Sequence, residues 1–244
     1  DGNCWMIQNL DLDLNSQTEL TPANTNISAN WTPVNSTIAF TGTSMSGWTS
    51  SNNTPYSADP GPLYVDSSGT TSSDEQYTSL EACKEAHSDC SAKNHVGNYY
   101  NWSAAIASDD SSSLTSSTYG SASDPDATNR NPQNSICPKG WRLPTISYKG
   151  NVVNSTSEFA RVNGLYNDGI TNNDKKLIGS PLWFVRSGFV YGGSLYSPGS
   201  EAYYWSSTVY SASYAYYLIF TATDVNPAYN GNRNFGSSVR CVAR

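Results

Sequence analysis

The chain has 244 residues with 13 Lys and Arg against 20 Asp and Glu, a formal net charge of −7, which excludes nucleic acid and anionic membrane as expected partners because both are gripped through a basic face. Only 14% of residues are charged, yet 12% are aromatic, so the chain is expected to fold rather than to remain disordered. The remaining composition is dominated by Ser, Thr, Asn and Gly, residues of turns and short strands, which excludes a mostly helical protein.

Residues 1–12, DGNCWMIQNLDL, predict a strand, with Trp5, Ile7 and Leu10 near period two. This opening lacks a basic, apolar leader and is expected to be internal to a processed or longer chain. Residues 13–75 are rich in Asn, Ser, Thr and Pro and predict a long excursion with little regular structure. Leu80, Ala82, Cys83 and Ala86 then recur at helical spacing behind Ser79 as N-cap, predicting a first helix. GNYYNWSAAIAS, residues 97–108, turns from an aromatic strand into a short Ala-rich stretch, and loop composition follows. In CPKGWRLPT, Pro138 and Gly140 set a turn while Trp141 and Leu143 point one way. The stretch 157–165, closed by Gly164, predicts the second helix.

After residue 187 the chain has no Lys, and nine of its 17 Tyr fall between Tyr191 and Tyr229. YYWSST, AYYLIFTA and SSVRCVAR predict strands, joined by VYSAS and DVNPAYNGNRNFG. Alternation puts Leu218 and Phe220 on the core face of the second strand, with Tyr217 and Ile219 outward. No run of about 18 apolar residues exists, so no helical membrane span is predicted.

The five cysteines are Cys4, Cys83, Cys90, Cys137 and Cys241. Cys83 and Cys90 are expected to form a local disulfide rather than a zinc site, which needs four ligands at closer spacing. If Cys137 and Cys241 pair, the loop closed exceeds 100 residues and the stabilisation is on the order of 4 to 5 kcal/mol in the chain-entropy model. Cys4 is then left over, buried beside Trp5 or joined to another chain. His87 and His95 belong to no catalytic motif, and default to loop packing or solvent. Asn26, Asn30, Asn35, Asn52, Asn101 and Asn154 head glycosylation sequons.

No Ser-His-Asp set, metalloprotease, Walker or dinucleotide pattern is present, so no catalytic residue is nominated. Asp109-Asp110 and Asp74-Glu75 sit in polar loop sequence and read as solvated. Asp168, Asn172 and Asp174 offer oxygen ligands that suit calcium, against the plainer reading of a turn. Calcium is the one cofactor left open. The C-terminal mixture of Tyr, Ser, Asn and Gly is that of antibody binding loops, where Tyr supplies contact area at low entropy cost. A Tyr-rich surface without a partner is the plainer alternative.

Five ordered motifs, GNCWMIQNLDL, GNYYNWSAA, ICPKGWRLPT, YYWSSTVYSASYAYYLIF and VRCVAR, resemble the Fibrobacter-type major paralogous domain, a secreted bacterial domain. The same order is similar to the variable proteins of diversity-generating retroelements, which use a C-type lectin fold of the formylglycine-generating-enzyme subtype. The resemblance covers both ends and the second half. It implies one α+β, C-type lectin-like domain over 1–244, loop-rich, with short antiparallel strands and about two helices. Polar insertions fall at 13–75 and 104–135, and a variable ligand-binding region spans 201–244. The N-terminal strand should lie beside VRCVAR, and GWRLPT should lead into a helix.

Trp5, Trp141, Trp205, Ser206, Ser207, Leu218, Phe220, Val239, Arg240 and Cys241 take scaffold roles under this resemblance. The implied ligand-facing positions are Val209, Tyr210, Tyr214, Tyr216, Tyr217, Ile219, Thr221, Asp224, Asn226, Tyr229, Asn230, Asn232, Asn234 and Phe235. The calcium triplets of sugar-binding animal lectins and the catalytic cysteine motif of formylglycine-generating enzymes are both missing, so neither activity is carried over. The implied function is a non-enzymatic, receptor-like protein, extracellular or on a cell or virion surface, that binds a protein or cell-surface ligand. The alternative is a secreted adhesive or structural domain whose paralogues differ by ordinary divergence. A hydrolase or oxidase on the same fold ranks third.

Overall fold

The computed structural model describes residues 2–11, 19–20, 29–30, 38–39, 41–44, 56–59, 64–65, 77–88, 90–91, 95–107, 135–138, 140–146, 148–149, 152–153, 157–164, 175–211 and 213–243. Its architecture is mixed α+β, with short and mostly antiparallel sheets and few helices. The polar first third contributes small pieces: β1 (Glu19–Leu20), β2 (Ala29–Asn30), β3 (Ile38–Ala39), β4 (Thr41–Ser44) and β5 (Tyr56–Asp59). β5 pairs with β4 and with β6 (Tyr99–Tyr100), and β2 pairs with β7 (Ser135–Pro138). Next come β8 (Trp141–Arg142), β9 (Tyr148–Lys149), β10 (Val152–Val153), β11 (Phe189–Tyr191) and β12 (Ser194–Tyr196). The longest strands are β13 (Ala202–Val209), β14 (Tyr214–Phe220) and β15 (Val225–Asn232), and β16 (Val242–Ala243) ends the chain.

Among the described residues four short helices form, three of them with cap hydrogen bonds. In α1 (Leu80–Ala86) the Ser79 hydroxyl accepts the Ala82 N–H at 3.1 Å. In α2 (Trp102–Ala105) the Asn101 side chain accepts from Ala104 at 3.0 Å. Asn101 is fully buried in that role, which closes its sequon to a glycan in the folded chain. α3 (Glu158–Asn163) ends on Gly164 at φ 75°, the left-handed residue that collects the last carbonyls. α4 is Lys175–Ile178. The two helices expected from the sequence are α1 and α3, while α2 and α4 are single turns, too short to register a period.

After GWRLPT come the antiparallel pair β9 and β10 and then α3, the helix expected to follow that motif. The Glu158 carboxylate accepts both Arg142 terminal nitrogens at 2.6 Å and the Thr145 N–H at 2.7 Å. It thereby ties β8 to the helix start.

β13, β14 and β15 form one antiparallel sheet in that order. β15 was expected as a connection, because VNPAYNGN carries Pro227 and turn residues. It is a strand because it lies at the sheet edge, where a proline that cannot donate to a ladder is tolerated. Tyr203, Trp205, Val209, Ala215 and Tyr217 pack into one core cluster with Tyr100, Trp102 and Cys137. Ala202, Tyr204, Tyr216, Leu218, Phe220 and Val225 pack on the opposite face with Phe159, Leu177 and Phe184.

The sheet is therefore covered on both faces, which corrects the one-sided pattern expected from the sequence. Val209, Tyr216 and Tyr217, expected to face ligand, are buried, at 3% exposure or less. The alternation is real, but both of its faces are apolar.

The last ten residues stitch the layers together. Gly236 pairs with Val190, Ser237 with Tyr100 and Ser238 with Tyr204, and Val242 and Ala243 pair with β8. The N-terminal segment lies beside them: Met6 donates to Cys241 O at 3.0 Å, Leu10 to Val239 O at 2.9 Å, and Ala243 to Cys4 O at 2.9 Å. It forms a single bridge, Trp5 to Val242, rather than the regular strand expected. Disulfides join Cys83 to Cys90 and Cys137 to Cys241. Cys4 is exposed, not buried beside Trp5. Trp5 instead packs on Phe159 and Phe184, with centroids at 5.7 and 6.0 Å. Trp205, Leu218 and Phe220 are buried, and half-buried Trp141 packs on the first cluster.

Among the described residues no helix is long and apolar enough to cross a membrane.

Candidate ligand-binding face

A Gly192-Gly193 turn closes the hairpin of β11 and β12 and lifts Tyr191 and Tyr196 to the surface. The hairpin docks on the large sheet through Phe189. Its ring stacks on Tyr196 at 5.2 Å and meets Tyr203 at 4.7 Å and Phe235 at 5.3 Å. Phe235 continues to Tyr191 at 5.1 Å. From Tyr203 the ring contacts run across the sheet, to Tyr217 at 5.4 Å and on to Tyr229 at 5.8 Å. The result is one aromatic tract from β12 to β15, with inner rings in the core and outer rings in solvent. Tyr196 is 45% exposed, Tyr229 49% and Tyr191 37%.

Two glycines let these rings approach. A Cβ on Gly231 would sit 2.4 Å from Cε1 of Tyr217, so the missing side chain leaves room for the ring over β15. Gly188, at φ +70°, would place a Cβ 2.1 Å from the Tyr196 carbonyl oxygen. It permits the close passage of β11 under the turn that ends at Glu201, whose N–H donates to Ser197 O at 3.0 Å.

Glu201 lies within this tract. Tyr203 Oη donates to Glu201 Oε2 at 2.8 Å. Burial first, then the hydrogen bond to Glu201 and its negative charge, push the Tyr203 phenol far above its ordinary range. Burial, then Tyr229 and Glu201, raise Tyr217 in the same direction. Both phenols stay neutral and remain hydrogen-bond donors throughout the physiological range.

The structure divides the positions expected to face ligand. Tyr217, Ile219, Asn226, Tyr229 and Phe235 belong to the aromatic tract or pair beside it. Tyr210, Tyr214 and Tyr216 gather on the opposite face, with Tyr210 5.2 Å from Tyr216 and 6.3 Å from Tyr214. Asn230 and Asn232 pair with Tyr216 and Tyr214 there. Only Tyr214 of these rings is exposed.

Thr221 and exposed Asp224 build the β14–β15 turn, where Thr221 Oγ1 accepts the Asp224 N–H at 3.0 Å. Half-buried Asn234 follows β15. Phe189, Tyr191, Tyr196, Glu201 and Tyr203 were not among the expected positions. The Gly-Gly turn flanked by aromatic residues is the signal that marks their hairpin.

Elsewhere, a polar cavity of about 280 Å³ is lined by Gln8, Asn9, Asp11, Tyr64 and His95. His95 Nδ1 lies 3.5 Å from Asp11 Oδ2, and among the described residues the lining holds no Ser, Thr or Cys. His87 accepts or donates to the Tyr77 hydroxyl at 3.0 Å, a loop-packing role. Asp168, Asn172 and Asp174 lie outside the described residues. Among the described residues no cluster of His, Cys, Asp and Glu is arranged to hold a metal.

Comparison with protein-family models, curated proteins and solved structures finds no match for this chain.

Proposed function

We propose that this chain is a non-enzymatic, receptor-like binding protein on a C-type lectin-type scaffold, and that the aromatic tract of β11, β12 and β15 meets a protein or cell-surface ligand. The observation that carries the reading is the exposure of Tyr191, Tyr196 and Tyr229 in front of a rigid aromatic backing. Tyr anchors supply large amphipathic contact area and lose little side-chain entropy on binding. The interlock of the two chain ends supports the scaffold assignment. Two disulfides support an oxidising compartment, on a cell or virion surface or in the extracellular space. Diversification of 201–244 by a retroelement completes the proposal.

Panning a random-peptide library on the immobilised chain tests the face. Peptides retained by the parent should be lost by the combined Tyr191→Ala, Tyr196→Ala and Tyr229→Ala variant, with its melting temperature nearly unchanged. Retention of the same peptides by that variant overturns the assignment. Sequencing the DNA beside the gene tests the diversification. A reverse transcriptase and an imperfect repeat of the codons for 201–244, differing at adenines, supports the retroelement; their absence favours an adhesive domain with ordinary divergence.

A further inference from the structure

We infer that the aromatic face recognises a lysine or arginine side chain on a basic segment of a protein partner, with Glu201 as counter-charge and the surrounding rings as walls. This rests on the binding-face reading and deepens it. A carboxylate among rings is an unusual neighbour, since rings desolvate it and return little unless a cation arrives. Glu201 Oε2 accepts one hydrogen bond, from Tyr203. Among the described residues the carboxylate has no cationic partner.

The local supply of cations is small. Residues 187–244 contain no Lys, and their arginines are Arg233, Arg240 and Arg244. Arg233 lies over the Trp102 ring at 4.5 Å and donates to Tyr214 O and Ser211 O. Arg240 is fully buried and held by Asn9. Both are committed elsewhere. The whole chain adds its net charge of −7, which draws in a basic partner from a distance.

The rings supply the second half of a cation site. An ammonium or guanidinium over a Tyr or Phe face is attracted by the ring quadrupole, and a nearby carboxylate adds to that field. Tyr203 hydrogen-bonds the carboxylate, Phe189 packs on Tyr203, and Tyr196 stacks on Phe189 with its outer part in water. Tyr229 stands on the other side, beyond Tyr217. Because Tyr203 donates to the carboxylate and stays protonated, Glu201 is held in place as an acceptor. The exposed rings spread over β11, β12 and β15, an open surface that suits a polypeptide better than a small cation, which needs enclosure.

Calorimetric titration of the full chain with hexalysine and hexaarginine, against hexaglutamate and hexaserine, tests this at low and physiological ionic strength. Glu201→Gln keeps an oxygen for Tyr203 and removes the charge. It should weaken hexalysine and hexaarginine by at least about tenfold, the loss of a charge-assisted contact. Glu85→Gln, an exposed change on α1, should leave both unchanged. Tyr229→Leu keeps apolar bulk at an exposed position and should also weaken the basic peptides.

Equal effects of Glu201→Gln and Glu85→Gln, or equal binding of hexaserine, overturn the inference in favour of diffuse attraction. The panned peptides separate the two levels. Peptides lost with the three tyrosines, yet poor in Lys and Arg and indifferent to Glu201→Gln, overturn the cation inference and leave the face standing. Peptides indifferent to both sets of changes overturn both.

Discussion

Arg240 is a buried cation satisfied without a carboxylate, and its replacement gives a sharp test of what holds the chain ends together. Its guanidinium is fully buried. Nε and Nη2 donate to Asn9 Oδ1 at 3.1 and 2.6 Å, Nη1 donates to Met6 O and Leu182 O at 3.0 and 2.7 Å, and Nη2 reaches Trp183 O at 3.0 Å. The plane lies 4.4 Å over the Phe184 ring. Burial lowers its pKa from the ordinary arginine value, opposed by Tyr204, and an arginine so placed remains charged at neutral pH.

Arg240→Met would orphan four acceptors, at about 1–3 kcal/mol each. Against this stands the desolvation of the guanidinium, several kcal/mol that the variant no longer bears. The net expectation is a loss of about 3–5 kcal/mol, as for other buried charge networks broken from one side. Arg240→Lys keeps the charge but loses the fork, and should fall between variant and parent.

Urea unfolding at unchanged m-value measures the loss. Hydrogen exchange at the Met6 and Leu10 amides, which bond Cys241 O and Val239 O, should accelerate before the rest of the fold. A stability for Arg240→Met within about 1 kcal/mol of the parent refutes the argument, because the four carbonyl and amide acceptors would then have found water.

Alkaline pH should unfold the chain. The Tyr99, Tyr203, Tyr204 and Tyr217 phenols are all raised by burial, so the unfolded chain loses these protons first. Stability is then independent of these phenols below about pH 10 and falls above it; reversible ultraviolet titration of every tyrosine near pH 10 without unfolding contradicts this. Opening the Cys137–Cys241 bridge, with its sequence separation of 104, should cost about 4.7 kcal/mol, against about 2.4 for Cys83–Cys90 with its separation of 7. Urea midpoints of the paired Cys→Ala variants check the order. Gly231→Ala should drive the Tyr217 ring off β15 at a cost of about 1–3 kcal/mol, read as a lower melting temperature and a changed near-ultraviolet dichroism.

What the sequence revealed depended on how local the signal was. Ser79 and Gly164 end their helices by their own backbone and side-chain chemistry, and both helices were legible. The aromatic strands β13 and β14 were legible for the same reason. β15 was not, because Pro227 and its Asn and Gly residues are excluded from central strands but allowed at an edge, and edge position is a property of the whole sheet.

The candidate site failed in the same way. Alternation in AYYLIFTA divides Tyr216 from Tyr217 correctly, but it cannot say that a second core waits on each face. Tyr217 is inside because Trp205 and Tyr203 lie on its side, and Tyr216 because Tyr210 and Phe159 close the other. In the aromatic tract the exposed rings are therefore those that lie at the sheet's margins, Tyr229 on the edge strand and Tyr191 and Tyr196 on an added hairpin, and on the opposite face Tyr214 is exposed where β14 begins. A surface built this way can change its outer residues while the inner rings keep their packing, since only the margins are free of a second core.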